Sequence, residues 1–285
     1  MDKLVIWTYH RVLPSPGRGA VGVRELEGHI KFLKALSHNF ITASEVGAWL
    51  EGRLDRRKKY AALTFDDGWA DNLAWATPVL KRHGVRATLA LSTSLVNIAE
   101  RGFKIEDEPE RLQIKDFKAA LGDASSGADH GQFLTWGELG RMRDGGVWEI
   151  QAHGHTHLGC YHDVRRPRGF HPSVTHWTMA HALGGEPFEG APRGEFKSIL
   201  SHPMTRLSGD FVAALKAAGS DGERAEICRS FPNPIETVEG DREFRERVAN
   251  DLSKCRGLIK ERLGLEPDCL FWPRGDHSAA GVEVA

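Results

Sequence analysis

The chain is expected to be an α/β protein built on a parallel sheet that helices close or cover, and three observations point there. β-rich apolar runs alternate with segments of helical periodicity, the pattern of repeated strand–helix units. The runs stop at chemistry-bearing residues, namely His10, the pair Asp66-Asp67 and His153, and in parallel sheets the carboxyl ends of the strands carry the site. The 285 residues are enough for one barrel-sized domain of roughly 200 to 250 residues plus insertions. A single catalytic domain over 1–285 is therefore expected, with insertions at about 97–131 and 158–209.

Each element has its own signal. Residues 4–10 are an apolar β-rich run ending in His10, followed by a Pro/Gly-rich loop over 13–19. Residues 24–36 carry Leu26, Ile30 and Leu33 at helical spacing, widened by Phe32 and Leu36. A short strand at 40–42 precedes a helix that Ser44 and Glu45 open and that runs through Leu50. After solvated basic residues at 53–59, the run from Tyr60 stops at Asp66-Asp67-Gly68. Residues 69–83 read as a helix with Leu73, Ala76, Val79 and Leu80 inward, Gly84 as its stop and Pro78 as a kink. A strand follows at 86–91, then the polar stretch 97–131 with partial helix near 114–121.

Thr135-Trp136-Gly137-Glu138 is a capping box that opens a helix ending at Gly145-Gly146. The strand 147–152 runs directly into His153-Gly154-His155-Thr156-His157. Residues 158–209 show little periodicity and many Pro, Gly and His residues, which reads as a long functional loop, with Trp177, Phe170 and His171 able to stack on rings. Helices are expected at 211–218 and 241–263, and a strand at 269–272 before Pro273-Arg274-Gly275-Asp276-His277. Residues 278–285 begin a further helix.

Composition narrows the function classes. With 38 Lys plus Arg against 39 Asp plus Glu, the net charge is -1, so nothing attracts nucleic acid or an anionic membrane in bulk. No apolar stretch approaches the roughly 18 residues of a membrane span. Cys160, Cys228, Cys255 and Cys269 are widely spaced and form no Cys-x-x-Cys pair, which suits thiols in a reducing compartment. The run 4–9 is too short for a signal-peptide core, and a cytoplasmic location is the expectation.

Two acids in succession at the end of a buried strand are costly unless a cation or a specific hydrogen bond takes up their charge. One can hold a metal while its neighbour acts as a base; alternatively Asp-Asp-Gly is a turn. The 14 histidines, clustered between His153 and His202, favour the metal. His153 and His157, four apart just past a strand end, can turn to one point, and a carboxylate from another strand completes a set of three that leaves coordination positions open. His155 is an extra candidate ligand or a solvent-facing loop histidine.

Thr64-Phe65-Asp66-Asp67-Gly68, the His153-x-x-x-His157 spacing and Phe271-Trp272-Pro273-x-Gly275 resemble, in order and spacing, three motifs of the polysaccharide deacetylase family, also called NodB homology or carbohydrate esterase family 4. Tyr9-His10-Arg11-Val12 resembles the circularly permuted branch that deacetylates poly-N-acetylglucosamine. The resemblance spans residues 4–277, and it implies a distorted (β/α) barrel and a metal-dependent hydrolase that removes N-acetyl groups from an N-acetylated saccharide. By position, it implies Asp66 as base, Asp67, His153 and His157 as metal ligands, and His10 as the acid that protonates the leaving amine. Zinc is the first choice of metal, with cobalt, nickel or iron suiting the same donors.

Trp272, Pro273 and Trp69 are the expected substrate-facing side chains, and Arg274 is expected to hold Asp66 by a charge-assisted bond. Two positions depart from the family pattern: Gly154 replaces a Ser or Thr, and Arg274 replaces an aromatic residue. Two other classes fit part of the pattern. One is a carbohydrate-binding relative without the chemistry, and the other is a small-molecule metal-dependent amidohydrolase, which would usually show His-x-His at its first strand. A barrel of this type needs further strand–helix units after residue 285 to close against the strand bearing His10. The chain is therefore expected to be an incomplete barrel, open at that end, either a fragment of a longer protein or one closed by a partner, a second copy of the chain being one such partner.

Overall fold

A computed structural model describes residues 3–17, 19–115, 119, 131–172, 182–183 and 188–285. The described residues form two compact units: one within Met1–Phe117, Asp129–His155 and Lys254–Phe271, the other within Lys118–Ala128, Thr156–Ser253 and Trp272–Ala285.

The first unit holds strands β1 (Leu4–Tyr9), β2 (Arg11–Leu13) and β3 (Ala20–Gly22), helix α1 (Val23–Ala35), β4 (His38–Ile41), α2 (Ala43–Leu50) and β5 (Lys59–Asp67). Then come α3 (Thr77–Arg82), β6 (Ala87–Leu91), α4 (Trp136–Asp144) and β7 (Trp148–Ala152). Five of these strands make one parallel sheet in the order β1-β5-β6-β7, with β4 also on β5, and among the described residues it stays open rather than closing into a barrel. β5 is the spine. Its apolar run is buried on both faces, as a central parallel strand requires, so it lacks the two-residue alternation of a half-exposed strand.

Register sets where the chemistry falls. Tyr9 pairs with Phe65, Asp67 with Leu91, and Leu91 with Ala152, so β1, β5, β6 and β7 all end at one edge. Leu63, Phe65 and Leu89 pack with Leu26, Ile30 and Leu33 of α1 and Leu80 of α3. α4 begins as expected, with Thr135 Oγ1 accepting from Glu138 N and Glu138 Oε2 accepting from Thr135 N.

Two expectations in this unit are revised. The helix expected over 69–83 is a π-helical turn at Asn72–Ala76 followed by α3. Pro78 has no N–H for an α-helical bond, and the wide turn places it in the first turn of α3, where none is needed. Thr77 N–H and Thr77 Oγ1 both donate to Asn72 O instead. The strand expected at 269–272 is a single parallel bridge between Ala152 and Leu270. Ala152 N donates to Cys269 O and Phe271 N to Ala152 O, and the pairing goes no further because Gln151 Oε1 takes both Asp268 N and Cys269 N at 3.0 Å.

The second unit contains β8 (Gly159–Asp163), β9 (Glu195–Ser198), β10 (Thr205–Leu207), α5 (Gly209–Ala217), α6 (Asp221–Ser230), β11 (Ile235–Thr237) and α8 (Ala279–Val284). Helix α7 (Asp241–Leu263) contributes Phe244 and Val248 to a cluster of this unit and Cys255, Ile259 and Leu263 to the core of the first. β8 pairs antiparallel with β9, and β10 with β11. The stretch 158–209 is therefore not one irregular loop: it shares a hydrophobic cluster of Tyr161, Val164, Leu207, Phe211, Leu215 and Cys228 with the helices that follow it. Half-buried Phe170 packs against that cluster. Trp177, and most of the helix expected near 114–121, lie outside the described residues. No described helix is long and apolar enough to cross a membrane.

Candidate metal centre and active site

β5 delivers the two carboxylates through a turn that needs unusual backbone. Asp67 has φ 77 and Gly68 has φ 99, and a Cβ on Gly68 would stand 2.7 Å from Leu91 Cδ1. Glycine is required at 68 on both counts. Non-glycine residues in this region are uncommon and concentrate at functional sites. Asp66 Oδ1 is buried without a hydrogen-bond partner among the described residues. Burial, and second the charge of Asp67, push the Asp66 carboxyl up to about 8.

The loop after β7 is laid along the residues that follow β6. His153 N donates to Leu91 O, Thr93 N to Gly154 O and Ser94 N to His155 O. Gly154 has φ 79, so the departure from Ser or Thr has a backbone cause: a side chain would be strained there. His157 also lies in the left-handed region, at φ 49. The buried carboxylate of Asp251 holds the loop between the histidines by accepting from Thr156 N and Thr156 Oγ1.

His153 is oriented by its other ring nitrogen. Nδ1 lies 3.0 Å from Phe271 O, and a carbonyl only accepts, so Nδ1 carries the proton and Nε2 the lone pair. That Nε2 stands 3.7 Å from Asp67 Oδ1. Asp67, His153 and His157 each offer one ligand atom, all within 4.8 Å of one another. One oxygen donor and two imidazole nitrogens, with an oriented histidine among them, fit a divalent transition metal. His155 stands outside this trio and has Nδ1 2.8 Å from Thr93 Oγ1.

Comparison with known proteins agrees with this geometry. Residues 53–183, which contain all three ligands and Asp66, match the family model described as polysaccharide deacetylase. YxkH of Bacillus subtilis, itself provisionally named a polysaccharide deacetylase, is 36% identical over 88 residues, which span 30% of this chain and 31% of that protein. A de-N-acetylase from Aggregatibacter actinomycetemcomitans has a similar structure at 17% identity, covering 99% of this chain and 83% of that one with a TM-score of 0.59. The BpsB deacetylase domain from Bordetella bronchiseptica does so at 21% identity, covering 100% and 85%, also at 0.59. These two likenesses establish the fold.

The remaining expected residues divide. His10 is exposed one residue past β1, and since Tyr9 pairs with Phe65 it falls at the register position of Asp66 on the site edge. Pro273 is buried at the start of a 3₁₀ turn, Pro273–Gly275, and half-buried Trp272 packs against a cluster of Leu200, Phe244 and Val248 in the second unit. Arg274 has its guanidinium 5.5 Å from the centre of the Phe196 ring.

Trp69 is the clearest revision to the expected site. It is 1% exposed, stacks on Phe133 with ring centres 4.3 Å apart, and donates from Nε1 to Asp67 Oδ2 at 3.1 Å, so it reaches the centre through Asp67 and presents no face to a substrate. The structure also shows a charged group that sequence reasoning passed over. Arg11, 2% exposed, donates from Nε to Asp71 Oδ2 at 2.7 Å, from Nη1 to Lys115 O and from Nη2 to Gln132 Oε1, with its guanidinium 4.5 Å from the centre of the Trp69 ring. Asp71 is fully buried, and its Oδ1 accepts from Val12 N. Its sequence signal was slight: one acid among the apolar positions of an expected helix.

Proposed function

We propose that the chain is a metal-dependent hydrolase that removes N-acetyl groups from an N-acetylated glycan or amino sugar. The observation that carries this reading is the trio Asp67, His153 and His157 at the sheet edge, beside a second, half-buried carboxylate, Asp66, one of whose oxygens is buried with no hydrogen-bond partner among the described residues. A divalent cation held by that trio, zinc by its donor set, would polarise the acetamide carbonyl and activate water. Asp66 takes the proton of the attacking water; burial and, second, the charge of Asp67 raise its carboxyl, and a cation held by Asp67 would offset the second cause and favour the ionised form that a base needs. As the carbon–nitrogen bond breaks, His10 gives a proton to the sugar nitrogen, since an unprotonated amine is a poor leaving group. Acetate and a free amine result. The expected part of Arg274, holding Asp66 by a charge-assisted bond, is not needed by this scheme, and its guanidinium lies 5.5 Å from the centre of the Phe196 ring.

The test is acetate release from N-acetylated chitooligosaccharides, with and without chelator. Asp66→Asn is expected to keep the metal and lose turnover by several orders of magnitude, whereas Asp67→Ala loses the metal itself. Near-full activity in metal-loaded Asp66→Asn would remove Asp66 as the base. Saccharide binding without acetate release would favour a binding protein that kept the fold.

A further inference from the structure

We propose that Trp69 is a positioning residue for the metal centre: its indole N–H fixes which oxygen of Asp67 faces the histidines, and the buried Arg11–Asp71 pair fixes the indole. The inference rests on the functional reading above and concerns only this chain's own residues. A carboxylate has two oxygens and turns about its last torsion with little resistance. In this structure Oδ2 is engaged by Trp69 Nε1 at 3.1 Å, and Oδ1 is the oxygen 3.7 Å from His153 Nε2. An indole has a single donor and no acceptor, so this contact specifies an ionised, outward-facing Oδ1 and would be lost on rotation of the ring.

The ring itself is held against rotation. Phe133 stacks on it, and the Arg11 guanidinium lies 4.5 Å from its centre. Arg11 in turn has three hydrogen bonds, to Asp71, Lys115 O and Gln132, each from a different nitrogen. A buried guanidinium tied at all three nitrogens is held in place, and a cation against an indole face adds attraction of its own. Asp71 closes the frame: one oxygen binds Arg11, the other accepts from Val12 N, two residues beyond His10. If the ion pair served stability alone, the indole N–H would be dispensable.

Trp69→Phe separates the two roles, since it keeps an aromatic ring against Phe133 and Arg11 and removes the N–H. Cobalt(II) or zinc is titrated into metal-free wild type and variant by calorimetry, with thermal unfolding of the metal-free proteins followed in parallel. The variant is expected to bind about 10- to 100-fold more weakly, the usual loss when a ligand's own hydrogen-bond partner is removed. The metal-free midpoint should move far less. Should Trp69→Phe not fold, site-specific incorporation of benzothienylalanine at 69 replaces the N–H by sulfur within the same bicyclic outline, and the same loss is expected. Wild type that binds cobalt(II) or zinc with an affinity unchanged by either substitution overturns this inference and leaves the proposed activity standing. Wild type that binds neither overturns both.

Discussion

Asp71 carries a burial penalty that its partner does not remove. Burial raises its carboxyl from 3.8 to about 6 even though Arg11 pulls the other way. Between those values the folded protein holds a proton that the unfolded chain has released, so this group's contribution is fully present below about pH 4 and is lost as pH rises to about 6. Asp71→Asn cannot titrate. The stability of wild type relative to that variant should therefore fall across this window, by an amount on the order of 3 kcal/mol, when denaturant unfolding is run at several pH values. A constant difference would refute the assignment. Much of the candidate site was legible at this scale. Asp66, Asp67, His153 and His157 announce themselves because two adjacent acids and closely spaced histidines at strand ends are hard to place otherwise. Arg11 and Trp69 were not legible as a pair, because their contact joins positions 58 residues apart in a chain read locally. The cause of Gly154 was hidden too, since sequence shows a missing hydroxyl and not a positive φ.

Among elements, those with long periodic runs or explicit caps were read correctly, and those held by distant partners were not. α7 has the expected bounds 241–263, and Thr135 caps α4 as its motif requires. By contrast β10 and β11 have three residues each and find one another across 30 positions, too short for alternation to be seen. Chemical unfolding can weigh these devices. Thr135→Ala removes one side-chain acceptor at a helix start and is expected to destabilise by about 1 kcal/mol. Phe211→Ala empties a fully buried place in the second unit's cluster and is expected to cost about 3–5 kcal/mol. A smaller loss for Phe211 than for Thr135 would mean that the cluster is not a packed core. Gly68→Ala meets both a positive φ and Leu91, so the first unit should lose more than the roughly 1 kcal/mol of an ordinary glycine replacement.

At the scale of the sheet, the expected opening is present, with β1 bonded on one side only, to β5, among the described residues. Ile6 on that strand is 51% exposed and Phe32 of α1 is 55% exposed. An unpaired strand carrying exposed apolar side chains is a template for association. Sedimentation over a range of concentrations should show self-association in wild type that Ile6→Lys reduces; a monomer at every concentration would show that this edge is otherwise protected. The far side of the sheet behaves differently. There the chain at Asp268 and Cys269 is secured largely by side chains: Gln151 Oε1 accepts from both amides, Asp268 Oδ1 accepts from Gln151 Nε2 and Ser44 Oγ, and one backbone bond runs from Ala152 N to Cys269 O. A ladder opens cooperatively with its strand, whereas a single amide lets go when one torsion turns. The Asp268 and Cys269 amides should thus exchange with deuterium much faster than those of β7 beside them, and Gln151→Leu should speed only theirs. Phe271 follows, its N–H donating to Ala152 O and its carbonyl orienting His153, so if the proposed metal is bound, opening of this latch is expected to loosen one of its ligands by local breathing and without global unfolding.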